Sequence, residues 1–185
     1  RRSFIVGIKS IRLSNKEKFF LKKYKPWGVI LFTRNIASIK QTLNLTSSIR
    51  KIFNDKRYPI LVDQEGGRVN RLKKIISFDN LTSEFFGNKF TSNFMEFIFF
   101  YKLFIDKTSY LLKSIVVNIN TYPCLDLRFK DASNVIGDRS FSEDPKIVSK
   151  IGDYGIKYFH ENGIGTVIKH IPGHGQAKVD SHFFT

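Results

Sequence analysis

Five short apolar runs recur along this chain, at 4–8, 28–32, 59–63, 115–119 and 166–170, and the segments between them carry helix signals. A run of about five β-branched or aromatic residues suits a strand. The third run, Pro-Ile-Leu-Val-Asp, is almost continuously apolar, as in a sheet covered on both faces. Strands that alternate with helices in this rhythm form parallel βαβ units.

The helix signals are specific. Ser14-Asn15-Lys16-Glu17 is a capping box, opening a helix with Phe19, Phe20, Leu21 and Tyr24 that Pro26 ends. Ser38 can cap a second helix through Leu43, Leu45, Ile49 and Phe53. A long Phe-rich helix is expected over 92–113. Glu96, Lys102 and Asp106 keep that stretch short of the ~20 apolar residues a membrane span needs, so it reads as thickly buried. Asp144-Pro145 opens the last helix and Gly163 closes it. The chain shows no linker, internal repeat or low-complexity stretch. It is therefore expected to be a single α/β domain over 1–185 with about five βα units. A closed eightfold barrel needs about 250 residues, so 185 is short for one.

Composition excludes more than it assigns. The net charge of +15 is scattered, without a block of five like charges or a nucleic-acid-binding signature, so no specific nucleic-acid partner is expected. Anionic cell-wall fragments could still benefit from it. One cysteine, Cys124, excludes an internal disulfide, fits a reducing cytoplasmic compartment, and has no activating neighbours in sequence. Arg1-Arg2 is followed by too short an apolar run for a secretion signal, and the absence of an initiating Met implies a trimmed or incomplete N-terminus.

Chemistry concentrates in 169–182, Lys-His-Ile-Pro-Gly-His-Gly-Gln-Ala-Lys-Val-Asp-Ser-His, which holds three of the four histidines. Lys169 and His170 fall at the end of the fifth run, and the rest forms a polar loop beyond it. Asp180 and His182 are two residues apart, so in an extended segment they share a face. A carboxylate there can hold one tautomer of the imidazole and stabilise its protonated form. His170, His174, Asp180 and His182 are all metal-ligand types, but Pro172-Gly173 interrupts the His-x-x-x-His pair and denies it the helical geometry of zinc proteases. Ser181 is adjacent in sequence to both and points away from them, which makes it a weaker nucleophile candidate.

Three other segments fall at strand ends or in the loops that follow: 28–35, 62–71 and 135–141. In the second, Asp63 precedes a Gly-Gly turn with two arginines. Asp63 can accept from sugar hydroxyls and Arg71 can donate a fork of N–H groups, although a salt-bridged turn uses the same residues. Arg139 carries the same ambiguity.

Val-Asp-Gln-Glu-Gly-Gly-Arg-Val, Ile-Gly-Asp-Arg-Ser-Phe and Lys-His-x-Pro-Gly-His-Gly with Asp-Ser-His, in that order, resemble the N-terminal part of family 3 glycoside hydrolases, and within them the bacterial β-N-acetylglucosaminidases of cell-wall recycling. The likeness runs from about 28 to 182, with Ile171 where the family usually has Phe. It implies a (β/α)₈ TIM-type barrel, incomplete here, and retaining hydrolysis of terminal N-acetylglucosamine from muropeptides without cofactor or metal. It implies His182 as general acid/base with Asp180 as its partner, and Asp63, Arg71, Arg139, Lys169 and His170 as sugar-binding residues. The β-glucosidase branch lacks the His-containing loop. A retaining glycosidase needs a nucleophile about 5 Å from the acid/base, and the family's nucleophilic aspartate has no match in this chain. Asp63, Glu65 and Asp126 are carboxylates near the expected mouth without an assigned role. The chain is thus expected to be truncated after its fifth strand and loop, as a fragment, a decayed gene or half of a split enzyme. Alone it should be inactive, with a complementing C-terminal chain as a partner. The other readings are a sugar-binding remnant without hydrolysis, a β-glucosidase-like family 3 hydrolase and, below them, a basic nucleic-acid binder.

Overall fold

A computed structural model describes residues 2–178. Five strands, β1 (Arg2–Gly7), β2 (Pro26–Leu31), β3 (Ile60–Val62), β4 (Ile119–Asn120) and β5 (Gly165–Thr166), form one parallel sheet in the order β1-β2-β3-β4-β5. Helices α1 (Asn15–Tyr24), α2 (Ile39–Phe53), α3 (Ser83–Ser92), α4 (Phe94–Ser114) and α5 (Pro145–Glu161) lie between them. When every crossover is right-handed and the strands add in sequence order, the helices all fall on one face of the sheet. Residues of that face, Val29, Leu31, Ile60, Val62 and Asn120, are fully buried. The opposite face carries Ile5, Ile30, Leu61 and Ile119 in alternating register, and Ile5 at the β1 edge is 44 % exposed. Among the described residues, β1 pairs only with β2 and β5 only with β4.

The caps read from sequence form as expected. Ser14 accepts from the Glu17 backbone N–H while the Glu17 carboxylate accepts from that of Ser14, and Ser38 accepts from Gln41. Asp144 caps α5, with Pro145 at its first position.

Four expectations are corrected. The helix expected from 92 is preceded by a second one, α3, which Thr82 caps and which the short sequence pattern around Gly87 conceals. Helix α4 is buried on one side only. Phe97, Tyr101, Phe104, Ile105, Leu111 and Leu112 pack into the core, while Met95, Phe99 and Leu103, four residues apart on the other face, are exposed. The fourth strand does not span 115–119. Helix α4 runs to Ser114, Ile115 becomes its cap, and Val116 turns the chain at φ 59°, so pairing begins only at Ile119. The fifth strand is likewise shortened to Gly165–Thr166, with Lys169 rejoining the sheet through a single bridge to Cys124.

An aromatic cluster locks the helices over the sheet. Phe86 of α3 and Phe97 of α4 lie 4.8 and 5.1 Å from Tyr101, and the buried Tyr101 and Tyr122 hydroxyls bond each other at 3.0 Å. Gly87 lets α3 approach the backbone of Phe141, since a Cβ there would sit 1.7 Å from the Phe141 carbonyl oxygen. Alanine in a helix interior is worth about 1 kcal/mol over glycine, but overpacking against rigid backbone costs about 1–3 kcal/mol. Gly87→Ala should therefore lower stability by about 1–2 kcal/mol, read as a shift of the urea midpoint; a raised midpoint would show that the contact yields.

Candidate active site

Ion pairs gather at the C-terminal ends of β3 and β5. Asp63, the first residue after β3, accepts from Arg71 Nη2 through Oδ2 at 2.7 Å, and from Thr121 Oγ1 at 3.0 Å and Lys169 Nζ through Oδ1. Glu65 follows two residues later, and its side chain is only 2 % exposed. Arg139 grips it with a fork, Nε to Oε2 and Nη2 to Oε1, both 2.9 Å, and Lys169 Nζ contacts Oε1 as well. Lys169 therefore bridges the two carboxylates, and Asp63, Arg71, Arg139 and Lys169 meet in one network, as their expected shared role requires.

Local structure aims these groups. Gln64 and Asn120 form a reciprocal pair, Gln64 N to Asn120 Oδ1 at 3.0 Å and Asn120 Nδ2 to Gln64 O at 2.9 Å, which ties the ends of β3 and β4 together. Gln64 Oε1 then accepts from the backbone of Arg71 and Leu72, folding the 64–71 turn back so that Arg71 reaches Asp63. The turn passes through Gly66 and Gly67 at φ 91° and 52°, and a Cβ at Gly66 would meet the Leu81 carbonyl oxygen at 2.2 Å. Arg68 donates to the carbonyls of Asn134, Val135 and Ile136 at 2.7–2.9 Å and pairs with Asp138, holding the loop that delivers Arg139.

A second cluster surrounds His170. Its Nδ1 lies 2.5 Å from Oδ2 of Asp126, whose side chain is fully buried, while the His170 side chain is 37 % exposed. His170 thus faces Asp126 and does not join the Asp63 network. Beside it opens a cavity of about 300 Å³, lined by Asp126, Leu127, Phe129, His170 and Gly173 among others. Cys124, Asp126 and His170 place three ligand-type atoms within 4.8 Å of one another. The 2.5 Å Asp126–His170 contact is a hydrogen bond, and burial pushes the Cys124 thiol up to about 12, so the thiol is a neutral donor to Asp126 at 3.3 Å. These residues fit a hydrogen-bonded triad better than a metal centre. Asp180, His182 and Ser181 lie outside the described residues.

Glu65 and Asp126, carboxylates without a role in the sequence, thus organise the two clusters, and Gln64, Asn120 and Arg68 were not singled out there at all. Glu65 had a signal: it sits two residues from Asp63, on the same side of an extended chain. Asp126 had none, because the His170 and His174 groups it holds lie more than forty residues away.

The family model for the glycosyl hydrolase family 3 N-terminal domain matches residues 5–185. This chain belongs to that family. It is 36 % identical over 178 residues to a beta-hexosaminidase of Hydrogenovibrio crunogenus, covering 96 % of this chain and 49 % of the relative. A beta-hexosaminidase of Xanthomonas campestris pv. campestris is 30 % identical over 179 residues, with 96 % and 53 % covered. The crystal structure of native NagZ from Neisseria gonorrhoeae superposes with a TM-score of 0.87 at 28 % identity, over 98 % of this chain and 52 % of that one. The same protein in complex with N-trifluoroacetyl-D-glucosamine superposes at 0.88 with 28 % identity, over 98 % and 53 %. The family 3 chain spans about half the length of the curated relatives it matches, and its five parallel strands are α/β structure of the TIM-barrel type.

Burial pushes the Asp63 carboxyl up, but Lys169 and Arg71 outweigh it and bring its pKa from 3.8 to about 2. A depressed carboxylate contributes stability above its unfolded pKa and loses it as pH falls through the folded one. The network should thus supply about 2 kcal/mol at pH 6, lost between about pH 4 and 2. Asp63→Asn should remove most of that difference: denaturation midpoints of wild type and variant should lie apart at pH 6 and converge towards pH 2. A gap independent of pH would show that Asp63 is not held ionised by its cations.

Proposed function

We propose that this chain supplies the sugar-binding half of a retaining β-N-acetylglucosaminidase acting on muropeptide fragments in cytoplasmic peptidoglycan recycling. The observation that carries the reading is the meeting of Asp63, Arg71, Lys169 and Arg139 at the C-terminal ends of the strands, the edge where barrel enzymes place their sites. Fixed carboxylate oxygens and guanidinium or ammonium N–H groups side by side suit the paired hydroxyls of a pyranose, which both donate and accept. Membership of family 3 and the beta-hexosaminidase relatives support the same substrate class. Among the described residues no helix is long and apolar enough to cross a membrane.

In this reading His182 is the general acid/base and Asp180 its partner, with Asp63, Arg71, Arg139, Lys169 and His170 holding the sugar. The nucleophile lies in the half of the relatives that this chain does not span. Strands from that half, in the same polypeptide or in a complementing chain, would pair with the open edges of β1 and β5 and cover the half-exposed face around Ile5. Sugar capture thus resides in this chain, and bond cleavage needs both halves.

Two measurements test this. Calorimetry with N-acetylglucosamine should show binding to the 185-residue chain that Asp63→Asn abolishes, while a chromogenic N-acetylglucosaminide should be turned over little or not at all. Added C-terminal half of a relative should restore turnover, and His182→Ala should then slow it by at least about 100-fold. Absence of sugar binding, or brisk hydrolysis by the isolated chain that survives His182→Ala, would overturn the proposal.

A further inference from the structure

Asp126 has a buried carboxylate that no role yet assigned uses. It accepts on both oxygens: Oδ2 from His170 Nδ1 at 2.5 Å, from the His170 backbone N–H at 3.2 Å and from the Cys124 thiol at 3.3 Å, and Oδ1 from the His174 backbone N–H at 2.5 Å. Its own carbonyl accepts from Ser140 Oγ at 2.7 Å, next to Arg139. Asp126 therefore joins the 170–174 loop to the segment that delivers Arg139.

The ring contact has a chemical consequence. An ionised carboxylate can only accept, so the proton in the Asp126–His170 bond belongs to Nδ1. Nε2 is then the nitrogen left for a ligand, and it has no hydrogen bond to any described residue. The ring extends from a fully buried carboxylate to the edge of the cavity of about 300 Å³. The geometry points to Asp126 as a positioning residue of the sugar site: it holds the proton of the Asp126–His170 bond on Nδ1 and leaves Nε2 as the ring nitrogen presented to a sugar hydroxyl, an acceptor whenever the ring is in its neutral form. The assignment rests on the reading that His170 contacts sugar. The depressed pKa of Asp126 agrees with it; burial raises that carboxyl, and the bonds from His170, His174 and Cys124 more than reverse the effect.

A plain loop staple would need only the backbone bonds to His170 and His174. The two roles separate in the spectrum of the ring. Long-range ¹H–¹⁵N correlation of the ¹⁵N-histidine-labelled chain, without sugar, should show neutral His170 protonated on Nδ1, the reverse of the tautomer that free histidine favours in water. In Asp126→Asn the amide N–H₂ can donate to Nδ1, so His170 should change to the Nε2–H form and calorimetric affinity for N-acetylglucosamine should fall about tenfold. Wild-type His170 protonated on Nε2 overturns the proposal without any variant, which covers the case in which Asp126→Asn does not fold. A folded Asp126→Asn with unchanged tautomer and affinity overturns it too. If the wild type shows Nδ1–H yet takes up no sugar, the sugar-site reading is what fails and the assignment falls with it, an outcome recognisable from the intact ring signal.

Discussion

Glu65 is a carboxylate almost without exposure, and it stays there because Arg139 and Lys169 reach it from other parts of the chain. Removing both partners would leave a buried charge uncompensated, which costs several kcal/mol, and removing either leaves it with only the other. Because Lys169 also contacts Asp63, and Asp63 holds Arg71, this one burial event links the positions of Asp63, Arg71, Arg139 and Lys169 at the mouth of the sheet. The 64–71 turn, the 134–139 loop and the end of β5 are each short and irregular, yet the ion network gives them a common reference.

The neutral framework beneath it does the complementary work. Gln64 and Asn120 exchange hydrogen bonds across β3 and β4, and Tyr101 and Tyr122 do the same between α4 and the segment after β4. The Gln64 backbone and the Asn120 amide satisfy each other, as do the two tyrosine hydroxyls, whereas each group would be unfavourable buried singly. They hold the strand ends still while the loops carry charge. Groups held this way are oriented before any ligand arrives.

The two open edges give the same structure a second character. Ile5 at one edge and Val167 and Ile168 beyond β5 at the other are each more than 40 % exposed, an arrangement that suits strands awaiting partners. The covered face, by contrast, is packed to completion by five helices. The ion network and a packed helical face thus coexist with a sheet whose outer strands β1 and β5 each have one partner among the described residues.

Much of this was legible in order of residues alone. The capping box at Ser14, the cap at Ser38, Pro145 at the start of α5 and the alternation of strands and helices are local signals, and local hydrogen bonding realises them without help. Asp63, Arg71, Arg139, Lys169 and His170 could be named together only through the family resemblance, since their places at strand ends or in the loops beyond them left a salt-bridged turn also open. Chain order could not say that Ile115 and Val116 would turn rather than pair, because the length of α4 decides where its cap falls. Nor could it assign Glu65 and Asp126, whose partners lie 74 and 44 residues away. Linear sequence determined the alternation of strands and helices and the capped ends of α1, α2 and α5. Only the packed tertiary structure decided which carboxylate each cation meets, because burial makes an ion pair obligatory and burial is a property of the whole fold.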